Sequence, residues 1–233
     1  ISLPLVERAL SLKPLPTLVI TADCGSSDEP RIARLKAAGI DVVVSDHHAL
    51  PLEGPPPSAY ACVNPTRSDC DYPDKTIAGC MVAWLLMSLA RGVLVEWGAL
   101  PEATPKLSPW LSYVALGTVA DCVSLGGSPA NRAVVSHGLT LINRMDAACW
   151  RAMAARLGAD SVPFNAETLA FQMGPRINAR SRLDDPYAAL HFMQAESDGV
   201  ANRQLEVLDQ DNQSRKAIEA DMAEEARALA VPA

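Results

Sequence analysis

Cysteine pairs of the CxxC kind are missing from this chain: its six cysteines, Cys24, Cys62, Cys70, Cys80, Cys122 and Cys149, stand far apart. That spacing argues against a zinc knuckle and against a dense disulfide scaffold, so a reduced, cytoplasmic compartment is expected. No signal-peptide pattern opens the chain and no apolar run is read as approaching membrane-spanning length, so no membrane partner is expected. There is no internal repeat and no low-complexity tract. The chain lacks an initiating Met and begins at Ile1, which reads as a piece of a longer protein. Positive charge is also short: the formal net charge is −7, against the basic balance common among nucleic-acid binders. Carboxylates gathered around cations soften that objection, because the bound ions reverse the local field.

What is present is ordinary globular material. Of the 233 residues 49% are hydrophobic and 20% charged, enough for a sizeable core. The first half alternates strand-like and helix-like patterns. An apolar, β-branched run at 18–22 leads directly into Asp23-Cys24-Gly25. A helix is predicted from Glu29 to Ala38, stopped by Gly39. Val42-Val43-Val44 leads into Asp46-His47-His48. The stretch 51–57 holds four prolines and must be loop. A third strand is predicted at 61–63, a buried helix over 78–90 and an apolar helix over 110–119 that leads to Asp121. Short apolar strands separated by helices indicate an α/β fold, a parallel sheet flanked by helices. Ligands bind such sheets beyond the carboxyl ends of the strands, where Asp23 and Asp46-His47-His48 fall.

From about Asn131 the pattern is mainly helical, with turns expected at 158–163 and at Gly174-Pro175. The tail from Asp198 to Leu229 reads as one long helix. The expected organisation is a partial core at 1–130, a helical part of the same core at 131–197, and the start of a connecting helix at 198–233.

Asp46-His47-His48 is the sharpest chemical signal. A lone histidine is more often structural than a ligand, but two in a row behind an aspartate at a strand's end are less easily dismissed. Imidazole together with carboxylate suits Mn²⁺, Zn²⁺ or Fe²⁺, whereas Mg²⁺ prefers oxygen alone. Asp23 and Asp121 each have a bland reading as turn or cap carboxylates. Together with the histidine pair they suggest carboxylates shared between two cations, the arrangement for in-line phosphoryl hydrolysis.

The order Thr21-Ala22-Asp23-Cys24-Gly25, Val44-Ser45-Asp46-His47-His48, Asn64-Pro65 and Gly117-Thr118-Val119-Ala120-Asp121 resembles motifs II, III and IV of the DHH phosphoesterase superfamily in its RecJ form. Cys70-Asp71-Tyr72-Pro73, Lys75 and Ala78-Gly79 resemble the segment between motifs III and IV. Gly174-Pro175-Arg176-Ile177-Asn178-Ala179 with Arg182-Leu183 resembles a further RecJ signature. Asn212, Arg215-Lys216 and Ile218-Glu219 resemble the helix that joins the RecJ core to its DHHA1 domain. The resemblance implies a single-stranded-DNA-specific 5′→3′ exonuclease of repair and recombination, using Mn²⁺ or Mg²⁺ at a two-metal site. Single-stranded DNA would be its substrate, and a single-strand-binding protein or another repair protein a partner. It implies that Asp23 bridges the two metals, that His47 and Asp121 complete one metal's shell, and that His48 touches the metal or the scissile phosphate. Asp46 would orient the histidine pair, and Arg176, Asn178 and Arg182 would hold backbone phosphates; Arg180 is not part of the signature.

Departures accompany the resemblance. Ser181 stands where the family usually has Gly. No aspartate occurs in the twenty-two residues before Asp23, so the family's Asp-x-Asp-x-Asp-Gly motif I is not found, and a DHHA1 domain is not found either. Asp69/Asp71 and Asp209/Asp211 have a similar spelling in the wrong places. The expected consequence is an incomplete first metal site and impaired activity for this piece. Two other readings stand beside the leading one: an oligonucleotide phosphatase or pyrophosphatase with the same catalytic residues, and a non-catalytic scaffold of the same fold.

Overall fold

The computed structural model describes residues 1–158, 163–179 and 187–230. They fall into two compact units, Ile1–Ser136 and His137–Ala233.

The first unit is built on a parallel sheet of β1 (Leu18–Ile20), β2 (Asp41–Ser45) and β3 (Ala61–Val63), in that order. Val19 pairs with Val42 and Val44 with Cys62. β2 is central, and Val42 and Val44 are fully buried where a β-branched run suits a covered sheet. α1 (Leu3–Ser11) and α2 (Glu29–Ala37) contribute Val6, Ile32 and Leu35 to the same core. α2 ends as its sequence predicts, with Gly39 at φ +81° just past the C-cap Ala38. β1 is shorter than the apolar run suggests. Its pairing direction nevertheless continues, since the Thr21 and Asp23 amides donate to Val43 and Ser45 carbonyls at 3.0 and 2.9 Å.

A second core joins α3 (Gly79–Glu96), α4 (Leu111–Ala120) and the start of α5 (Pro129–Ile142) through Met81, Val82, Val114 and Val134. Two expectations about α3 are corrected. The helix runs to Glu96, so an 18-residue segment does reach a length and apolarity sufficient to cross a membrane. Nor is it buried throughout: Gly79, Met81 and Val82 are covered, whereas Met87, Leu89, Val93 and Leu94 are exposed. Composition cannot separate these cases, because a helix apolar on all sides carries no periodic cue to its covered face. Its outer length is tied to a loop, with Trp84 Nε1 donating to the Leu107 carbonyl at 2.8 Å and Arg91 Nε to Pro105 at 2.8 Å.

The second unit is helical: α6 (Ala148–Leu157), α7 (Ala166–Thr168), α8 (Gly174–Ala179), α9 (Ala188–Met193) and α10 (Asp198–Leu229). α10 packs on α6, α8 and α9 through Ala201, Leu205, Leu208 and Asn212, a stripe at helical spacing. The expected turn at Gly174-Pro175 is not one. Leu169–Met173 forms a wide π-helical turn and α8 follows without a break. Pro175 thus sits inside a continuous helical run directly after the π-helical turn; a proline has no N–H for the usual i→i−4 bond, and wide turns of this kind accommodate that loss.

Candidate metal centre

The turn after β1 brings Asp23 forward in a left-handed conformation, φ +63°. An aspartate tolerates that region better than most residues. Thr21 Oγ1 closes the turn onto the Cys24 carbonyl at 2.6 Å, and Gly25 (φ +120°) passes so close to Val44 that a Cβ there would sit 3.0 Å from its Cγ1. After β2, the Asp46 amide donates to the Val63 carbonyl at 3.0 Å, carrying the chain one residue beyond the strand before it turns.

Asp46 is buried and organises that turn. Its Oδ1 accepts from the amides of His47 (2.8 Å) and His48 (3.2 Å) and meets His48 Nδ1 at 2.7 Å; its Oδ2 accepts from the Ser26 amide at 2.9 Å. Burial alone would raise the carboxyl, but the hydrogen bonds from His48 and Ser26 outweigh it and hold the pKa at about 2. The bond to Asp46 in turn raises the His48 imidazole above its ordinary value. Asn64 locks the arrangement from behind, its Nδ2 donating to Ser26 Oγ and to the His48 carbonyl, both at 2.9 Å.

His47 faces the other way. Its Nε2 lies 3.2 Å from Asp23 Oδ1 and 3.3 Å from Asp121 Oδ2, yet it is buried and has no hydrogen-bond partner among the described residues. The contacts have the distance of an ion pair without a hydrogen bond's geometry. Cis ligands on an octahedral ion with bonds of about 2.1 Å stand about 3.0 Å apart. Each of the two separations from His47 Nε2 suits a pair of ligands that share a cation. One atom each from Asp23, His47 and His48 also lie within 4.8 Å of one another. Burial raises the Asp23 carboxyl above its ordinary value; His47 opposes that and Asp121 adds to it.

Asp121 reaches this place from the C-terminal end of α4, not from a strand, and the next residue, Cys122, is again left-handed at φ +57°. The carboxyl edge of the sheet and the end of a helix therefore share the site. α3 begins against it: a Cβ on Gly79 would sit 2.1 Å from Asp23 Oδ1, so only glycine lets the helix start there. Gly79 and Asn64 fall within the motifs read from the sequence, but neither they nor Ser26 could be given a role from it. The one local cue was Gly79 itself, a glycine opening a long helix behind a residue that cannot cap it.

The other predicted residues lie in the second unit. Arg176 Nε donates to Asp209 Oδ1 at 2.6 Å, and its Nη1 to the Gln172 carbonyl at 2.5 Å. Asn178 is exposed on α8. Arg180 and Arg182 lie outside the described residues. Asp209 is an ion-pair partner, with Arg156 Nε 2.6 Å from its other oxygen, and Asp69 is paired with Arg67.

Residues 3–118 match the DHH family, N-terminal domain. The chain belongs to the DHH family. The DHH match contains the sheet, Asp23 and the Asp46–His48 turn, and Asp121 lies three residues beyond its end. The single-stranded-DNA-specific exonuclease RecJ of Dickeya dadantii is 40% identical over 215 residues, which cover 90% of this chain and 36% of the relative. The Escherichia coli protein of the same description is 37% identical over 219 residues, 91% of this chain and 37% of its own length. The chain thus spans less than two-fifths of these relatives. A crystal structure of exonuclease RecJ bound to manganese matches with TM-score 0.81 at 28% identity, covering 100% of this chain and 55% of that one. RecJ from Thermus thermophilus in complex with Mn²⁺ matches with TM-score 0.79 at 29% identity, covering 97% of this chain and 32% of that one. These likenesses favour a RecJ-like DHH member over the phosphatase and scaffold readings.

Proposed function

We propose that this chain is part of the catalytic core of a RecJ-like exonuclease that hydrolyses single-stranded DNA from its 5′ end with Mn²⁺ or Mg²⁺. The observation that carries the proposal is the buried, unpartnered His47 Nε2 between Asp23 and Asp121. Those three side chains fit a divalent cation by donor type and spacing. When bound, such ions supply Lewis-acid stabilisation to a phosphoryl group. The chain's own residues then have separable tasks. Asp23 and Asp121 supply negative charge, and His47 a neutral nitrogen that fixes one direction. Asp46 holds the backbone of both histidines and engages His48 Nδ1, which leaves His48 Nε2 for an ion or a phosphate oxygen. The exposed His48 ring and half-open Asp23 leave one side of the cluster accessible to a substrate.

Arg176, Asn178 and Arg182 are the proposed phosphate contacts, Arg because its planar fork pairs with phosphate oxygens. A single-strand-binding or other repair protein is the proposed class of partner. Cytoplasmic location is proposed on the six free thiols. The likeness to relatives described as single-stranded-DNA-specific exonucleases over 90% of this chain supports the nuclease reading and its single-stranded DNA substrate. The test uses the longer protein that contains this chain, with 5′-labelled single-stranded DNA and Mn²⁺. His47→Ala should abolish release of short products. Full activity of that variant would refute the assignment.

A further inference from the structure

The start of α5 carries a side chain that touches neither the metal cluster nor solvent. Asn131 is fully buried. Its backbone amide is capped by Ser128 Oγ at 2.9 Å, and Ser128 in turn donates to Asp74. Asp74 also accepts from the Thr76 amide (2.9 Å) and hydroxyl (2.7 Å). The Asn131 side-chain amide spends both hydrogens across the chain, on the Thr76 carbonyl at 3.0 Å and the Ser124 carbonyl at 3.1 Å.

Those two carbonyls stand at matching places. Thr76 is three residues before Gly79, whose α-carbon abuts Asp23, and the intervening Ile77 and Ala78 are buried and cannot swing. Ser124 is three residues after Asp121, beyond the left-handed Cys122. One amide therefore ties the segment that abuts Asp23 to the loop that leaves Asp121. Arg132, the next residue, steadies that loop from its far side, through the Leu125 and Gly126 carbonyls.

We propose that Asn131 is a positioning residue for the metal centre, fixing the separation of Asp23 and Asp121 through Thr76 and Ser124. This inference rests on the metal-binding reading above. Unlike a generic core contact, the clamp controls the spacing between ligands carried by separate segments. A shift of a few tenths of an ångström there weakens ion binding before it unfolds the protein. Removal of residues that orient metal ligands typically lowers metal affinity by about 10–100-fold.

Isothermal titration of the 233-residue chain with MnCl₂ tests this, with circular dichroism to confirm folding. Asn131→Ala should weaken Mn²⁺ binding at least about tenfold. Val135→Ala, one turn along α5 at a buried position, removes core contacts without touching the clamp, and should leave Mn²⁺ affinity within about twofold of the parent. Equal affinities for Asn131→Ala and Val135→Ala would overturn the proposal and leave Asn131 a structural residue. Should Asn131→Ala fail to fold, Asp74→Ala decides instead. It loosens the same clamp from a half-buried loop, and an unchanged Mn²⁺ affinity there would equally overturn it. If the parent chain itself binds no Mn²⁺, the metal reading fails; if it binds and the variants match it, only this inference fails.

Discussion

At the scale of single residues, the site depends on two features with opposite character, one a missing side chain and one an over-committed one. Gly79 is the first. The Asp23 carboxylate occupies the space where a Cβ would stand, and Asp23 is itself in a left-handed turn with little freedom to retreat. Gly79→Ala must therefore displace either the carboxylate or the head of α3. The expected outcome is a loss of Mn²⁺ affinity of at least about tenfold, with destabilisation of about 1–3 kcal/mol from overpacking. Titration calorimetry and urea unfolding read the two effects separately; wild-type affinity would show that the turn adjusts freely. Asp46 is the second. Four donors converge on its carboxylate: the amides of Ser26, His47 and His48, and His48 Nδ1. Asp46→Ala leaves the buried Ser26 amide and the part-buried His47 and His48 amides without an acceptor, while the exposed His48 ring turns to water, so the metal-free chain should lose at least about 2 kcal/mol in urea unfolding. A loss below about 0.5 kcal/mol would mean that water replaces the carboxylate without penalty.

At the scale of elements, Asp209 on α10 joins three helices of the second unit. Its side chain is buried and pairs with Arg156 of α6 and Arg176 of α8. Removing a buried partner leaves a guanidinium uncompensated, at a typical cost of about 3–5 kcal/mol. The Arg156 side is half-exposed and adds little, so Asp209→Ala is expected to cost about 2–4 kcal/mol, and Arg176→Ala less. Chemical denaturation of the two variants checks the order, and the reverse order would show that Arg176 needs no anchor. The same pair shows how far elements can be read from sequence. The run Arg176-Ile177-Asn178 was legible as a motif, but not that Arg176 Nε is already engaged within its own unit, because Asp209 is thirty-three residues away. Elements with a local cause were legible: the Gly39 stop of α2, the alternation that fixed three parallel strands, and the long helix without Pro or Gly after Gly199. Elements set by tertiary neighbours were not. Gly174-Pro175 carries every mark of a turn, yet a π-turn absorbs it into a helix. An apolar helix showed nothing of which face its neighbours would cover. The nearness of Asp23, His47 and Asp121 was foreshadowed by the apolar segment that precedes each motif, whereas Asn131 and Ser26 make their contacts with backbone carbonyls and a buried carboxylate far away in sequence, which leave no residue signature.

At the scale of the whole molecule, the ligand inventory sets what this chain can do by itself. Among the described residues, the group of three metal-suited side chains is Asp23, His47 and His48, with Asp121 joined to it through His47 Nε2 at 3.3 Å. Asp23 alone could be shared between two ions, and a bridging carboxylate with few further oxygens holds a second ion weakly. Two-metal hydrolysis requires both ions in fixed geometry about 3.5–4 Å apart. The 233-residue chain is therefore expected to bind Mn²⁺ with a stoichiometry near one and to degrade single-stranded DNA at less than about 1% of the rate of a full-length relative such as the Escherichia coli exonuclease. This loss corresponds to at least about 2.7 kcal/mol of transition-state stabilisation. Calorimetry gives the stoichiometry, and a labelled-strand assay at saturating Mn²⁺ gives the rate. Two tight equivalents, or robust metal-dependent degradation that disappears with Asp23→Ala, would show that a second complete ligand set lies within these residues.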